Sequence, residues 1–504
     1  MTMAKDQNLT LCFHRITAKP VIAETLKPTY IPENCILIKV DRFAFTANNL
    51  TYQTLAEHPH FRFYDLHPAP TSGDVSPKTH GVVPSWGFGN VVASNHPQVQ
   101  VGERLYGCFA PTRYLLLPIA RTEKYKMTVD RPYIPTSNRL YNDLMRTSTD
   151  PLYKPTPLSE NLMLLYRPLF WSSYWCEDWL FSSEYCGGCS TILISAASSK
   201  TAFCFAYCVR KTDPSIQIIG LTSRSHVSFC QNRLGGLYDA VLDYESFHTS
   251  TFYRKAIAEA GSRWIYVDVS GNPKLTERVH QTFIPVQNAK LSTSIQMGLA
   301  SLGPGSVAYN WLIGANGGVG GKEGTKRPWS HLQTPSSGKP LDVMAAAKAA
   351  SSSTATPTSP VSALGLPNSL THLFPTPEPF YTPSWLAIRI PQFPSGGELQ
   401  EMLKDDWEEL MRECQGQSNN ISNAKRPWID VTVTYDGREG KTVKEAYERI
   451  LERGGRMGPE EGYVWSMWES AEKAGRVDAE AFADAKKVKT PFEAQVGRTY
   501  QAKL

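Results

Sequence analysis

The chain has 504 residues, 41% hydrophobic and 20% charged, ordinary proportions for a globular protein long enough to hold two or three structural units. A formal net charge of +5 over this length is too dilute to imply a nucleic-acid or membrane partner. No uncharged apolar run reaches the roughly 18 residues of a membrane span, and MTMAKDQNLTLCFHR has no apolar signal core. Ten cysteines without a secretory signal then read as reduced thiols of a cytoplasmic protein.

In chain order, residues 8–30 and 35–47 predict strands broken by turns, since LTLCFHRI and CILIKVDRFAF carry alternating or continuous apolar patterns. Strand and turn signals continue from Gly81 to Leu117, through Gly87, Gly89, VVAS, Pro97 and VGERLYG. Short strands at this spacing predict a small antiparallel barrel. Residues 121–160, polar and rich in proline and tyrosine, predict an irregular excursion, and Leu162–Phe181 an apolar helix.

Thr191–Ser195 is a β-branched apolar run, a buried strand. It turns through Ala196–Ser199 into a helix carrying Lys200, Thr201, Phe203, Phe205, Ala206 and Val209. The α/β rhythm continues with strands at Ile216–Leu221, Asp239–Tyr244 and Trp264–Ser270. A helix through Val227, Cys230 and Leu234 is expected to end at Gly235-Gly236, and Ala289–Ile295 and Ser306–Ile313 are candidate fifth and sixth strands. Such an order forms a doubly wound parallel sheet with its ligand at the C-terminal ends of the strands.

From Gly314 to Thr382 the composition turns to Gly, Ser, Thr, Pro and Ala, and residues 315–378 are expected to be a disordered insert. Helical periodicity resumes through Leu399, Met402, Leu403, Trp407, Leu410 and Met411. Ile429, Val431, Val433 and Tyr435 alternate as a strand, Thr442 and Glu445 form a capping box, and Gly462–Trp468 is a last apolar segment. The expected units are a barrel-like substrate domain over 8–160, a Rossmann-like nucleotide domain over 161–314, the insert, an α+β part over 379–470 that packs back on the first two, and a polar tail over 471–504.

The loop after Thr191–Ser195 brings backbone N–H groups to a helix N-terminus, where a phosphate can be held. Ser195, Ser198, Ser199 and Thr201 offer hydroxyls and Lys200 a charge, although the glycines of a phosphate loop or dinucleotide fingerprint are absent. The bland reading is a helix cap at Ser199. At the end of the next strand stand Thr222-Ser223-Arg224 with no carboxylate. Ser223 and Arg224 suit the 2′-phosphate of NADP, which a carboxylate would repel; Ser223 as a cap and Arg224 as a solvated charge is the alternative. Cys186-Gly-Gly-Cys189 precedes a strand and has no second ligand pair, so it reads as two unpaired thiols in a tight turn. The scattered histidines His58, His60, His67, His80 and His96 show no metal-ligand spacing.

VGERLYG at Val101–Gly107, WGFGNVVAS at Trp86–Ser94, FTANNLTY at Phe45–Tyr52 and ISAASSKTA resemble the corresponding segments of the medium-chain dehydrogenase/reductase superfamily, in its zinc-free branch. The resemblance is closer still to an uncharacterised microbial family within it, a domain of unknown function, at ANNLTY, SNHP, RPLF of Arg167–Phe170 and SAASSKTA. It implies a GroES-like barrel joined to a Rossmann-like sheet. It also implies a zinc-independent, NADPH-dependent oxidoreductase of the quinone or enoyl reductase type acting on a small hydrophobic carbonyl compound. The zinc-binding Gly-His-Glu motif and four-cysteine loop of the wider superfamily are absent from this chain. Asn48, Asn49 and Tyr52 are the expected catalytic donors and Tyr52 the proton source, with loop and packing residues as the bland reading. No nucleic-acid or membrane partner is expected, and a homodimer is compatible with the resemblance. The other class of function is a non-catalytic binding or accessory protein that keeps the fold with a decayed cofactor site.

Overall fold

A computed structural model describes residues 7–57, 61–134, 140–284, 289–298, 378–393, 396–418, 420–436 and 442–475. Strands β1 (Gln7–His14) and β2 (Pro20–Leu26) pair antiparallel across the turn at Ala18. After β3 (Cys35–Phe45) and helix α1 (Ala47–Thr54), the short β4 (His80–Gly81) returns to β1. β3 then combines with β5 (Ser85–Ser94), β6 (Arg104–Phe109), β7 (Tyr114–Thr122), β8 (Lys126–Val129) and β9 (Asp143–Arg146). The order β3-β5-β6-β9-β8-β7, with β7 pairing back onto β3, closes the predicted barrel. Its interior holds Ile36, Ile38, Leu105, Phe109, Leu117, Met127 and Leu144.

The irregular excursion expected over 121–160 instead contains β8 and β9, which complete the barrel wall. Each has four residues with only two buried positions, too few repeats for an alternation to stand out in the sequence.

Helix α2 (Pro157–Ser182) crosses from the barrel to the second sheet. Its first turn carries Glu160, buried, which accepts from Arg104 at 2.8 Å and 2.9 Å and from Arg42, Tyr153 adding a third donor at 2.7 Å. Asp41 completes the cluster, 2.7 Å from Arg104. Removing one partner of a buried pair leaves an uncompensated charge, so this cluster fixes where the helix sits on the barrel.

The second sheet is parallel with order β12-β11-β10-β13-β14-β15: β10 (Thr191–Ile194), β11 (Gln217–Thr222), β12 (Ala240–Asp243), β13 (Arg263–Asp268), β14 (Lys290–Gln296) and β15 (Glu378–Pro379). The chain winds outward from β10 to β12, then restarts at β13 on the other side. That reversal is the switch point where doubly wound sheets bind ligands. Helix α3 (Lys200–Thr212) follows β10, and α4 (Pro273–Thr282) follows β13. The expected helix through Val227, Cys230 and Leu234 is replaced by a 3₁₀ turn at Arg224–His226 and a π-helical turn at Phe229–Arg233. Regular winding gives way where Gly235 packs on Asn423 and Arg233 donates to the Pro427 carbonyl, contacts from a distant part of the chain. Ser306–Ile313, residues 315–377 of the expected insert and residues 476–504 of the tail lie outside the described residues; the insert's last residue, Glu378, opens β15.

The tight turn expected at Cys186-Gly-Gly-Cys189 is one turn of left-handed helix. Glu184, Tyr185, Cys186, Gly187 and Gly188 take φ values of 51°, 49°, 59°, 75° and 90° in succession. The two glycines adopt this at no steric cost, whereas each of the three other residues costs about 1–2 kcal/mol.

Beyond residue 378, helix α5 (Gly396–Glu413) lies against α2 and α3, with the Trp407 ring 5.5 Å from that of Phe170 and Lys211 2.6 Å from Asp406. Strands β16 (Asp430–Tyr435) and β17 (Glu461–Ser466) pair in parallel around helix α6 (Val443–Glu452), whose capping box at Thr442 and Glu445 is present. β17 pairs antiparallel with β3, so the end of the chain adds two strands to the barrel wall.

Candidate cofactor and active site

At the switch point, Ser195 follows β10 and Asp268 ends β13. The fully buried Ser195 hydroxyl donates to Asp268 Oδ1 at 2.7 Å and accepts the N–H groups of Val269 and Ser270, both at 3.0 Å. Its hydrogen-bonding capacity is thereby used, and it latches the two central strands rather than facing a ligand. Asp268 also accepts from Ser270, Gly271 and Thr276.

Ala196 occupies the left-handed region at φ +50°, its N–H donating to the Tyr244 hydroxyl at 3.1 Å. Ala197 donates to Leu221 at 2.9 Å and lies directly over Gly220 of β11, where an added Cβ would stand 2.8 Å from the Ala197 Cβ. The loop approaches the sheet closely without a glycine of its own because the missing side chain is on the neighbouring strand. Ser198 bonds His226 Nδ1 and the Thr222 hydroxyl, each at 3.0 Å. Burial holds the His226 imidazole below its usual pKa, so it is neutral at neutral pH.

Ser199 is the N-cap of α3, accepting from Ala202 N at 3.3 Å. The first N–H groups of the helix, at Lys200 and Thr201, have no partner within it, and the Thr201 hydroxyl is unbonded among the described residues. Lys200 turns away from the loop. Its amine donates to the Glu461 carbonyl of β17 at 2.7 Å, and burial lowers its pKa to about 8. At the C-terminal end of β11, Ser223 lies 3.2 Å from the Ser225 hydroxyl, and Arg224 is exposed, its guanidinium 3.8 Å from Asp243.

The second part of the site lies where the barrel meets α2. A pocket of about 10 Å³, room for about one water, is lined by Thr46, Asn48, Asn49, Tyr52 and Trp86 from the barrel side and by Leu164, Leu165, Pro168 and Leu169 of α2. Asn49 is committed to structure: its carbonyl accepts from Thr46 N at 2.8 Å, and its amide donates to Pro84 O and Ser85 Oγ at 3.0 Å. Tyr52, one turn after Asn48, packs tilted against Phe63 with ring centroids 4.4 Å apart, and its hydroxyl lies 3.4 Å from that of Tyr141. Burial pushes its phenol up to about 12, the hydrogen bond with Tyr141 working against the rise. The indole N–H of Trp86 and the Asn48 side chain face the Tyr52 hydroxyl and also work against the rise of its pKa. One turn beyond Leu169 on α2, Ser173 donates to the Thr201 carbonyl at 3.0 Å, so one helix carries both the pocket wall and the support for the start of α3. Among the described residues, no three of His, Cys, Asp and Glu converge on a metal-sized point.

The model of a family described as "Protein of unknown function (DUF2855)" matches residues 43–310, more than half of the chain. The chain belongs to this family. No curated protein matches it. Among solved structures, a mutant enoyl thioester reductase from Candida tropicalis is similar at a TM-score of 0.47 and 10% identity, over 91% of this chain and 99% of that one. CurA from Vibrio vulnificus is similar at 0.40 and 14%, over 91% and 98%, and the CurK enoyl reductase at 0.41 and 12%, over 92% and 99%.

Several residues of this DUF2855 protein that build the site escape a reading by motif. Asp268 at the end of β13 and Tyr244 just after β12 lie more than forty residues from the loop they hold, and His226 lies in a 3₁₀ turn next to the segment expected to be helical. Trp86 and Tyr141 reach Tyr52 only through barrel closure. Gly220 was the one signal available, a glycine inside an otherwise apolar strand, which marks a close approach.

Proposed function

We propose that this protein is a zinc-independent, NADPH-dependent oxidoreductase acting on a small hydrophobic compound with an electron-poor carbon, such as an enone or quinone. The observation that carries the proposal is the C-terminal end of β11. There Arg224 stands exposed, 3.8 Å from Asp243 of the neighbouring β12, no carboxylate directly follows β11 itself, and an open helix N-terminus lies one strand away. A guanidinium at that position suits a 2′-phosphate. The N–H groups of Lys200 and Thr201 and the hydroxyls of Thr201 and Ser198 would hold the pyrophosphate, Ser223 and Arg224 the ribose phosphate. Ser195, Ser199 and Lys200 would position the loop, the last through β17.

NADPH supplies hydride when bound. The chain's own part is to bind, orient and hold a proton. Tyr52, still protonated far above neutral pH, would donate a hydrogen bond, and then its proton, to the oxygen or carbon that gains charge. Asn48 and the Trp86 indole N–H face the same pocket as further donors, and Asn49 fixes the start of α1. At about 10 Å³ the pocket as it stands has room for about one water and none for a substrate. The same narrowness favours the second reading, a non-catalytic binding protein that keeps the fold.

Thermal-shift titration separates the two, because a ligand that binds only the folded state raises its stability. NADPH is expected to raise the melting temperature well above any effect of NADH. Arg224→Ala should remove that preference at a cost of about 1.5–3 kcal/mol, the value of a charged hydrogen bond. No shift with either nucleotide decides for the non-catalytic reading; equal shifts remove the role of Arg224. Elemental analysis of the purified protein should find no stoichiometric zinc.

A further inference from the structure

The left-handed turn before β10 holds the CxxC sequence that neither reading of function uses. Two backbone hydrogen bonds of helical spacing close it, Gly187 N to Ser183 O at 2.9 Å and Cys189 N to Tyr185 O at 3.0 Å. Cys189, at φ −69° and ψ 133°, already leaves the turn in an extended conformation, but its N–H still closes the turn, and residues three apart across one helical turn have Cα atoms about 5 Å apart. That separation lies inside the range a disulfide requires. The Ser183 hydroxyl accepts from Cys186 N at 3.1 Å, and Arg263 of β13 donates to the Cys186 carbonyl at 2.8 Å. The Tyr185 hydroxyl is anchored on Glu177. Three side chains from outside thus hold a backbone that Glu184, Tyr185 and Cys186 would not adopt alone.

Access is selective. Of the ten cysteines, nine are buried and only Cys186 is partly exposed, beside the exposed Gly187 and Gly188. Burial raises both thiols above their usual pKa; the neighbouring Cys189 adds to the rise at Cys186, while Ser183 and Arg263 there, and Ser292 and Arg263 at Cys189, pull back. Cys186 is therefore the thiol an external reagent meets first, with Cys189 behind it as a second thiol.

We propose that Cys186 and Cys189 form a reversible dithiol–disulfide site that exchanges with low-molecular-weight disulfides. The Cys186 thiolate attacks one sulfur of the small disulfide, forming a mixed disulfide and releasing one small thiolate. Cys189 then gives up its proton and attacks the Cys186 sulfur, which expels the second small thiol. The protein loses two protons and two electrons, and the small disulfide is reduced to two thiols. The exchange closes a ring across a turn that the surrounding side chains already hold in shape.

Oxidised glutathione is the probe, applied to the full-length reduced protein, with alkylation and mass mapping as the readout. The expected product is an internal Cys186–Cys189 disulfide with the other eight thiols still alkylatable, and the dithiol is restored by reduced thiol. Cys189→Ser should accumulate one glutathione on Cys186, and Cys186→Ser should not react. A wild-type protein that ends as a stable glutathione adduct overturns the proposal. So does one that loses buried thiols first, or stays unmodified while folded. The wild-type mass map decides even if a serine variant fails to fold.

Discussion

Single side chains in this protein do work that their types in the sequence do not announce. Ser195 and Lys200 stand in the loop expected to touch a cofactor, yet one latches β10 to β13 and the other ties α3 to β17. Ser195→Ala should leave the buried Val269 N–H without its acceptor and lower stability by about 1–3 kcal/mol in denaturant titration, while Thr201→Val at the open helix start leaves stability almost unchanged. Glu177 offers a test by pH. It is buried, and burial, reinforced by Asp178 and Asp406, raises its carboxyl to about 7 against the hydrogen bond from Tyr185. A folded pKa above the unfolded one contributes stability that is complete below about pH 4.5 and is lost as pH rises through 7. Glu177→Gln removes this titration. At pH 8 the variant should be more stable than wild type by roughly 3 kcal/mol, from a rise from 4.5 to about 7 at about 1.36 kcal/mol per pKa unit. The difference should vanish near pH 4, and a constant difference across pH would show that Glu177 ionises normally.

At the scale of elements, the cofactor loop and its neighbouring strand form one packed unit. The strand–loop–helix at residues 191–209 was legible because a β-branched run, small residues and an amphipathic helix follow one another without a break. What makes the loop possible without glycine was not, since Gly220 matters only through Ala197 on the adjacent strand. Gly220→Ala should push Ala197 outward and destabilise by about 1–3 kcal/mol, the usual cost of overpacking. It should also weaken any NADPH-dependent thermal shift. Adding Ala197→Gly should recover part of both losses; if it recovers neither, the two residues do not share the strain. β8 and β9 teach the opposite lesson. Four-residue strands carry too little pattern to be seen, and only the hydrogen bonds of a closing barrel define them.

Over the whole molecule, the end of the chain is built into both sheets. β17 pairs with β3, Trp468 donates to the Val40 carbonyl at 2.7 Å, and Arg113 reaches the Met467 carbonyl at 2.7 Å. Trp407 and Trp428 sit in the core shared with α2 and α3. A protein produced as two chains split near residue 340 should therefore copurify as a complex that parts only in denaturant. Separation in buffer would show that the C-terminal segment stands alone.

Composition and periodicity determine the class of this fold, a barrel followed by a doubly wound sheet. Alternation and β-branched runs are local consequences of which residues must leave water. Tyr52 and Asn48 are candidates only through the resemblance of their segment to a known family, and the SAASSK loop through its place between a strand and a helix and the same resemblance. Strand order, the switch-point latch of Ser195 on Asp268, the diversion of Lys200 and the pocket between Tyr52 and α2 depend on tertiary contact. These partners are brought together by the burial of apolar faces elsewhere in the chain, over separations at which no local pattern survives. Asp268 lies 73 residues from Ser195, and Glu461 lies 261 from Lys200.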